Sequence, residues 1–352
     1  MMNFRAGLAD RPTYDTTERD WQIKVNANES PLNLPPLVEE RVMARLSRVA
    51  FNRYPNEETT LLRRQIAQSY GLSEENVWLG NGSSEIIEKL FFAFGGQGKK
   101  IVYPSPSFSM YEIYAQAAET EGVPIALPGD YRLDAEAFIK TVQENRAALV
   151  VVCNPNNPTG NYIPREEIGY IAAKIDGALL IDEAYIEFAG ESASVLLGKY
   201  SNLMVARTFS KAYGLAACRV GYLLADRAVI DMVQKAYMPY SLNVLSAVTA
   251  DIVYQMRDEY RPRIDMIIAE RQRMFERLSG IEGLNVFPSA ANFLLCQSAR
   301  AAKLYEALAA QGIGVRSFGN AARLKNALRL SVGTREENDR IFQAISDFMA
   351  GR

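Results

Sequence analysis

The stretch AALVVVCNPNNPTG at residues 147–160 decides the fold class. Its first half is apolar on both faces and fits a buried strand over Ala148 to Cys153, too short to span a bilayer. Its second half carries two prolines and a glycine, which end the strand in a tight, non-helical path. Working outward, the theme recurs in ALLIDEAYIEF (178–188) and LMVARTFSKAYG (203–214), where apolar runs at Ala178 to Ile181 and Leu203 to Ala206 break into polar loops. A helix fits Arg165 to Ile175 between the first two. Upstream, Val77 to Leu79 leads through Gly80-Asn81-Gly82 into a helix carrying Ile86, Ile87, Leu90, Phe91 and Phe94 on one side, and Ile101 and Val102 begin another strand. Strands apolar on both faces, alternating with helices, predict a largely parallel sheet in an α/β domain.

The flanks read differently. The segment up to about Pro36 is irregular, with Pro12, Pro31, Pro35 and Pro36 opposing regular helix. Helices follow at Leu37 to Ser47 and at Leu61 to Tyr70, the second capped by Thr59 or Thr60 and stopped by Gly71. The C-terminal part predicts a long helix over Arg263 to Leu278 and strands near Asn285 to Phe287 and Asn292 to Cys296. A helix over Ala301 to Ala310 stops at Gly312, and strands follow at Ile313 to Arg316 and Ala327 to Val332. Thr334 and Glu337 form a capping box for the last helix. This is the pattern of a smaller α+β domain, so we expect an N-terminal arm (1–36) packing with it, a large domain (37–245) and the small domain (246–352). The length, 352 residues, agrees with more than one core.

Composition narrows the chemistry. A formal net charge of -2, without basic runs or an acidic tail, gives no electrostatic footprint for nucleic acid or an anionic membrane. Met1 to Pro12 holds no apolar stretch long enough for a signal peptide, and a cytoplasmic protein is expected. Cys153, Cys218 and Cys296 are widely spaced and odd in number, so they read as buried small apolar residues rather than disulfides or metal ligands. There is no histidine, which removes histidine bases, histidine-activated nucleophiles and histidine metal ligands. Any catalysis must use Lys, Tyr, Asp, Glu, Arg or a cofactor.

Ligands of open parallel sheets sit outside the carboxyl ends of the strands. Three such ends are polar here. NPNNPTG (154–160) can hold an amide rigidly over the sheet edge or be an ordinary turn. Asp182 follows four apolar residues, so its carboxylate needs a partner, either a ligand or a structural salt bridge or helix cap. Lys211 lies a few residues beyond the third strand, flanked by Ser210 and Tyr213, with Arg219 eight residues on; taken alone it would be a solvated charge. Upstream, GNGSSE (80–85) supplies glycines, two hydroxyls and the free N–H groups of a helix start, an anion cradle to which Arg219 can add. A primary amine, a carboxylate, an amide, an anion cradle and an arginine on one rim suit a phosphorylated aldehyde with a ring nitrogen. No metal is required.

These segments carry a resemblance that runs nearly end to end. VNANESPL (25–32), RYPN (53–56), GNGSSE, PSPSFSMY (104–111), NPNNPTG, DEAYIEF (182–188), RTFSKAYGLAACRVGY (207–222), ANFLL (291–295), GIGVR (312–316) and LRLSVGTREEND (328–339) resemble the aspartate-aminotransferase-like pyridoxal-phosphate enzymes. Within them the likeness is to the histidinol-phosphate aminotransferase family. The resemblance implies fold type I, pyridoxal 5'-phosphate as cofactor, and amino transfer between histidinol phosphate and 2-oxoglutarate in histidine biosynthesis. The alternatives are an aromatic amino-acid aminotransferase on the same fold, a decarboxylase of a phosphorylated amino acid, and a non-catalytic module. Lys211 would hold the cofactor as an imine and shuttle the proton at the substrate Cα. Asp182 would pair with the ring nitrogen, and Asn157 and Tyr185 with the ring oxygen. Phe108, where many relatives carry tyrosine, would stack on the ring. Ser83, Ser84, Thr208, Ser210 and Arg219 would surround the phosphate, joined by Tyr54 from a neighbouring subunit, which implies a homodimer with shared active sites. Arg329 alternates with Leu328 and Leu330 on its strand and would fork onto a substrate carboxylate. Arg316, Tyr14 and Asn28 complete the substrate side.

Overall fold

The computed structural model describes residues 19–55 and 57–352; Tyr14 lies outside them. In chain order the polypeptide runs β1 (Ile23–Lys24), α1 (Pro36–Leu46), α2 (Glu57–Ser69), β2 (Val77–Gly80), α3 (Ser83–Phe94), β3 (Lys100–Ser105), α4 (Met110–Ala117), β4 (Glu121–Ala126), α5 (Ala135–Asn145), β5 (Leu149–Cys153), α6 (Arg165–Lys174), β6 (Ala178–Asp182), β7 (Leu203–Thr208), β8 (Gly221–Ala225), α7 (Arg227–Val233) and α8 (Val244–Gln255). It continues with α9 (Arg261–Ser279), β9 (Asn285–Phe287), β10 (Phe293–Gln297), α10 (Ala301–Ala310), β11 (Ile313–Gly314), β12 (Arg316–Ser317), β13 (Ala327–Ser331) and α11 (Arg335–Met349).

Seven strands form one sheet in the order β2-β8-β7-β6-β5-β3-β4. Only β8 runs against its neighbours; the pairings from β7 through β4 are parallel. The two-sided apolar runs explain this arrangement, because every strand face needs a cover. On one face Val150, Val152, Leu179, Ile181 and Val205 pack with side chains of α1, α2, α5 and α6. On the other, Leu149, Val151, Leu180, Met204 and Ala206 pack with Ile86, Ile87, Leu90 and Phe91 of α3 and with Tyr111 of α4. Each of the Val, Leu, Ile and Met side chains among them contributes about 1.5–3 kcal/mol on full burial. The architecture is thus α/β, a mixed, mainly parallel sheet between helical layers, as the alternation implies.

A second sheet, β12-β13-β10-β9, is antiparallel and sits over its own core of Met274, Leu278, Leu294, Leu304, Leu328, Leu330 and Ile341. Ile23 and Val25 join that core, and β1 pairs in parallel with β11. Where the sequence reads as irregular up to Pro36, the chain therefore carries a two-residue strand, too short to leave a periodic signal. The strand expected over Ile313 to Arg316 is split for the same reason: β11 pairs with β1, and β12 turns to β13. Ala247, Ala250 and Val253 of α8 and Ile264 and Ile267 of α9 belong to the large sheet's core, so that packing runs past residue 245. Met274 and Leu278, further along α9, belong to the second core.

Helix ends follow local chemistry. α2 starts at Glu57, ahead of the expected Thr59 or Thr60 cap. It ends in a Schellman motif: Gly71 takes φ +65°, its N–H reaches the Gln68 carbonyl at 3.2 Å, and the Leu72 N–H reaches the Ala67 carbonyl at 2.9 Å. The capping box at Thr334 and Glu337 is present. Cys153 and Cys296 are buried as expected, but Cys218 is only half-buried. No helix among the described residues is long and apolar enough to cross a membrane.

Candidate active site

The carboxyl ends of β5, β6 and β7, adjacent in the sheet, bring Asn157, Asp182 and Lys211 to one rim. Asp182 is the last residue of β6 and is 3% exposed. Its Oδ2 accepts a hydrogen bond from the Tyr111 phenol at 2.8 Å, while Oδ1 is buried and has no partner among the described residues. Burial pushes its carboxyl up to about 6, against the pull of the Tyr111 hydrogen bond, the Ala184 N–H and the Lys211 charge. An orphaned buried carboxylate oxygen costs on the order of 1–3 kcal/mol, so the site is built for a donor or cation that comes from elsewhere. The salt bridge that the sequence allows for Asp182 belongs instead to its neighbour. Glu183 and Glu187 pair with Arg207 at 3.3 Å and 2.7 Å.

Lys211 is half-buried, and its Nζ donates to the Ala27 carbonyl at 3.0 Å and stands 6.0 Å from the Tyr185 ring centroid. Burial, and then the nearby Arg329 charge, lowers the amine to about 8. An amine tuned towards neutrality at a rim is a nucleophile and a base. The Tyr185 hydroxyl accepts from Asn28 Nδ2 at 3.1 Å, and burial raises its phenol above the ordinary range. Asn157 Oδ1 accepts from Arg329 at 2.6 Å.

An anion cradle lies at the start of α3. Gly82, at φ +82° and ψ 162°, precedes Ser83 and Ser84 in a region of backbone space almost reserved for glycine. A Cβ there would lie 2.6 Å from Arg219 Nη2, so the guanidinium rests directly on the glycine backbone. Arg219 also donates to Ser210 Oγ at 3.4 Å, and Thr208 Oγ1 donates to the same hydroxyl at 3.0 Å. Hydroxyls, helix-start N–H groups and a guanidinium thus converge as a phosphate site requires. Phe108 lies edge-on to Tyr111 at 5.6 Å, the tyrosine that reaches Asp182.

On the opposite side, Arg329 and Ser331 project from β13. Arg329 Nη2 donates to the Asn26 carbonyl at 2.7 Å. Ser331 Oγ accepts the Asn28 N–H at 2.8 Å and donates to Asn28 Oδ1 at 3.1 Å. Asn28 is 1% exposed with φ +54°, so the strand-like arm from β1 is stitched across the site. Arg316 is the strand partner opposite Arg329, which puts the two on one sheet face, but Arg316 is exposed. Tyr54 stands outside the cluster, 77% exposed and stacked on Tyr240 at 4.7 Å.

Three contributors escape the sequence reading: Tyr111, the Ala27 carbonyl and Asn292, whose Nδ2 donates to the Asn28 carbonyl at 3.1 Å. Tyr111 and Asn292 sit in segments that stand out, but nothing in a linear string tells which buried carboxylate a phenol will reach. A backbone carbonyl leaves no residue-type signal at all.

Comparison with known proteins agrees with this geometry. Residues 20–345 match the family described as "Aminotransferase class I and II". A histidinol-phosphate aminotransferase from Thermoanaerobacter pseudethanolicus is 36% identical over 336 residues, 96% of this chain and 95% of that protein. Another from Desulfitobacterium hafniense is 38% identical over 332 residues, covering 93% of this chain and 92% of its own length. Among solved structures, the histidinol-phosphate aminotransferase of Clostridium acetobutylicum superposes with a TM-score of 0.86 at 25% identity, covering 94% of this chain and all (100%) of that one. That of Sinorhizobium meliloti, solved in complex with pyridoxal-5'-phosphate, gives 0.86 at 25% identity over 95% and 92% of the two chains. A lysine, a carboxylate and an anion cradle on one sheet rim, within a sequence that matches from end to end, leave one conclusion: the chain belongs to the class I and II aminotransferases.

Proposed function

We propose that this aminotransferase uses pyridoxal 5'-phosphate to move an amino group between histidinol phosphate and 2-oxoglutarate. The observation that carries the reading is full-length similarity, at 36% and 38% identity, to proteins named for histidinol phosphate, joined to a site whose unmet needs fit the cofactor. The orphaned Asp182 oxygen suits a protonated ring nitrogen, and the glycine-backed cradle suits a phosphate. When bound, pyridoxal phosphate supplies an aldehyde to receive the amino group and a cationic ring to hold electron density released at the substrate Cα.

The chain's own residues do the rest. Lys211 anchors the cofactor and moves the proton at Cα, a role its lowered basicity suits. Asp182 holds the proton at the ring nitrogen, and Asn157 and Tyr185 hydrogen-bond the ring oxygen. Ser83, Ser84, Thr208, Ser210 and Arg219 bind the phosphate, and Phe108 covers the ring. Arg329 orients the substrate carboxylate or its polar counterpart, beneath the arm that carries Asn28. Arg316 and Tyr14 belong to the substrate-phosphate side of the proposal. So does a homodimer in the cytoplasm, in which Tyr54 reaches the partner's cofactor phosphate. Phe51, Tyr54, Met238 and Tyr240, all more than half exposed, offer the apolar surface for it.

The test is glutamate formation from 2-oxoglutarate by the loaded enzyme, with histidinol phosphate and phenylalanine as separate donors. Histidinol phosphate should be preferred by kcat/KM. Preference for phenylalanine would leave the fold and cofactor standing and discard the phosphorylated substrate. Release of carbon dioxide without glutamate would replace transfer by decarboxylation.

A further inference from the structure

We propose that Tyr111 is a positioning residue for Asp182, occupying one carboxylate oxygen so that the other faces the cofactor ring in its ionised form. The inference rests on the reading of this rim as a pyridoxal-phosphate site and goes beyond it in naming the group that governs the aspartate.

The geometry is specific. Tyr111, at the first turn of α4, is fully buried. Its ring is held by Phe91 at 6.3 Å, Tyr103 at 5.9 Å and Phe108 at 5.6 Å, contacts that leave it little rotational freedom. Its phenol donates to Asp182 Oδ2 at 2.8 Å, and Asp182 Oδ1 is left without a protein partner among the described residues. A carboxylate with neither oxygen held could rotate or bind a ligand through either one. Here one oxygen is assigned to a locked phenol, and only the other remains to be matched.

Charge balance gives the phenol a second effect. The groups facing Asp182 are Tyr111 and Tyr114 on α4, Cys153 on β5, the Ala184 N–H and Tyr185 beyond β6, and Lys211 beyond β7. Burial raises Tyr111, Cys153 and Tyr185, so they stay protonated and neutral, and Tyr111 remains a donor. Of these groups only Lys211 brings positive charge. Burial favours the neutral acid, which cannot pair with a cationic ring; the phenol opposes burial by stabilising the anion. A hydrogen bond to an ionised group favours that form by about ten- to a hundred-fold, equivalent to about one to two pH units.

The experiment measures cofactor dissociation constants from pH 5.5 to 9 for the wild type, Tyr111→Phe, Asp182→Asn and the double variant. Comparing proteins cancels the titrations of the cofactor itself. Removing the phenol raises the pH at which Asp182 ionises, so the low-pH weakening of binding should begin about one unit higher in Tyr111→Phe, with about three-fold weaker binding near pH 6.5 and a deficit approaching about ten-fold towards pH 5.5. In the Asp182→Asn background the same substitution should change affinity less than about two-fold at every pH, since no carboxylate remains to be held. Loss of packing alone would predict an equal effect in both backgrounds and no pH shift, and that result overturns the proposal. Should Tyr111→Phe fail to fold, 3-fluorotyrosine at position 111, a stronger donor of nearly the same shape, should move the low-pH limb downward; an unmoved limb would count against the proposal equally. A wild-type protein that does not bind the cofactor would instead overturn the functional reading, and this inference with it.

Discussion

Replacing Arg207 by leucine should be among the most damaging single changes away from the cofactor. Arg207 is 7% exposed on β7 and bridges Glu183, which is fully buried, and Glu187, whose side chain is 8% exposed. Ser192 Oγ and the Ala193 N–H complete the shell of Glu183, each at 2.6 Å. Arg207→Leu leaves two buried carboxylates without a cation, and breaking a buried pair costs about 3–5 kcal/mol. With two carboxylates exposed to that fate we expect about 4 kcal/mol, or on the order of 8 °C in Tm for a chain of this size. The sign with pH is set by Glu183. Burial raises its folded-state affinity for a proton above that of the unfolded chain, and Arg207 pulls it back. Without Arg207 the folded state holds the proton more strongly, so the deficit is greatest at neutral and higher pH and shrinks as pH falls into the carboxyl range. Thermal unfolding of the loaded protein at pH 5 and pH 8 reads this directly. The triple variant Arg207→Leu, Glu183→Gln, Glu187→Gln should recover most of the loss, because amides can be buried without a counter-charge. An Arg207→Leu deficit under 1 kcal/mol, or one that grows towards acid, would refute the argument.

Other outcomes follow from the same geometry. Gly82→Ala places a Cβ 2.6 Å from the Arg219 guanidinium at a φ of +82°. It should cost about 1–3 kcal/mol of stability and weaken phosphate-bearing cofactor more than phosphate-free pyridoxal, as titration would show. Arg329→Lys keeps the charge but cannot contact Asn157 and the Asn26 carbonyl together as a planar fork; kcat/KM should fall at least ten-fold with cofactor affinity nearly kept. The rate at which pyridoxal phosphate combines with the apoenzyme should rise with pH to a plateau above about 8, where Lys211 is neutral. The same lowered amine means that the apoprotein gains stability as pH rises from about 8 towards the ordinary lysine range, since there the unfolded chain binds more protons.

The parts legible in the sequence are those with local, repeated causes. β5, β6 and β7 announce themselves because both faces are apolar, and the polar residues at or just beyond the end of each run land at the rim, which is why Asn157, Asp182 and Lys211 converge. The parts that were not legible depend on distant chain. β1 is two residues long and exists through pairing with β11, nearly three hundred residues away. The partner of Asp182 is a phenol from another layer of the fold, while the adjacent Glu183 takes the arginine. Tyr54 illustrates a different limit: its expected role requires a second subunit, and within one protomer it is simply an exposed ring on Tyr240.

The central claim is that Lys211 is the cofactor-bearing amine of a transaminase. Borohydride reduction of the loaded enzyme, followed by peptide mass spectrometry, tests it most directly. One reduced-cofactor mass addition is expected, on the peptide holding Lys211, lost when histidinol phosphate is added before reduction because the amino group has passed to the cofactor. A label on another lysine, or a Lys211 label that survives excess histidinol phosphate, would contradict it.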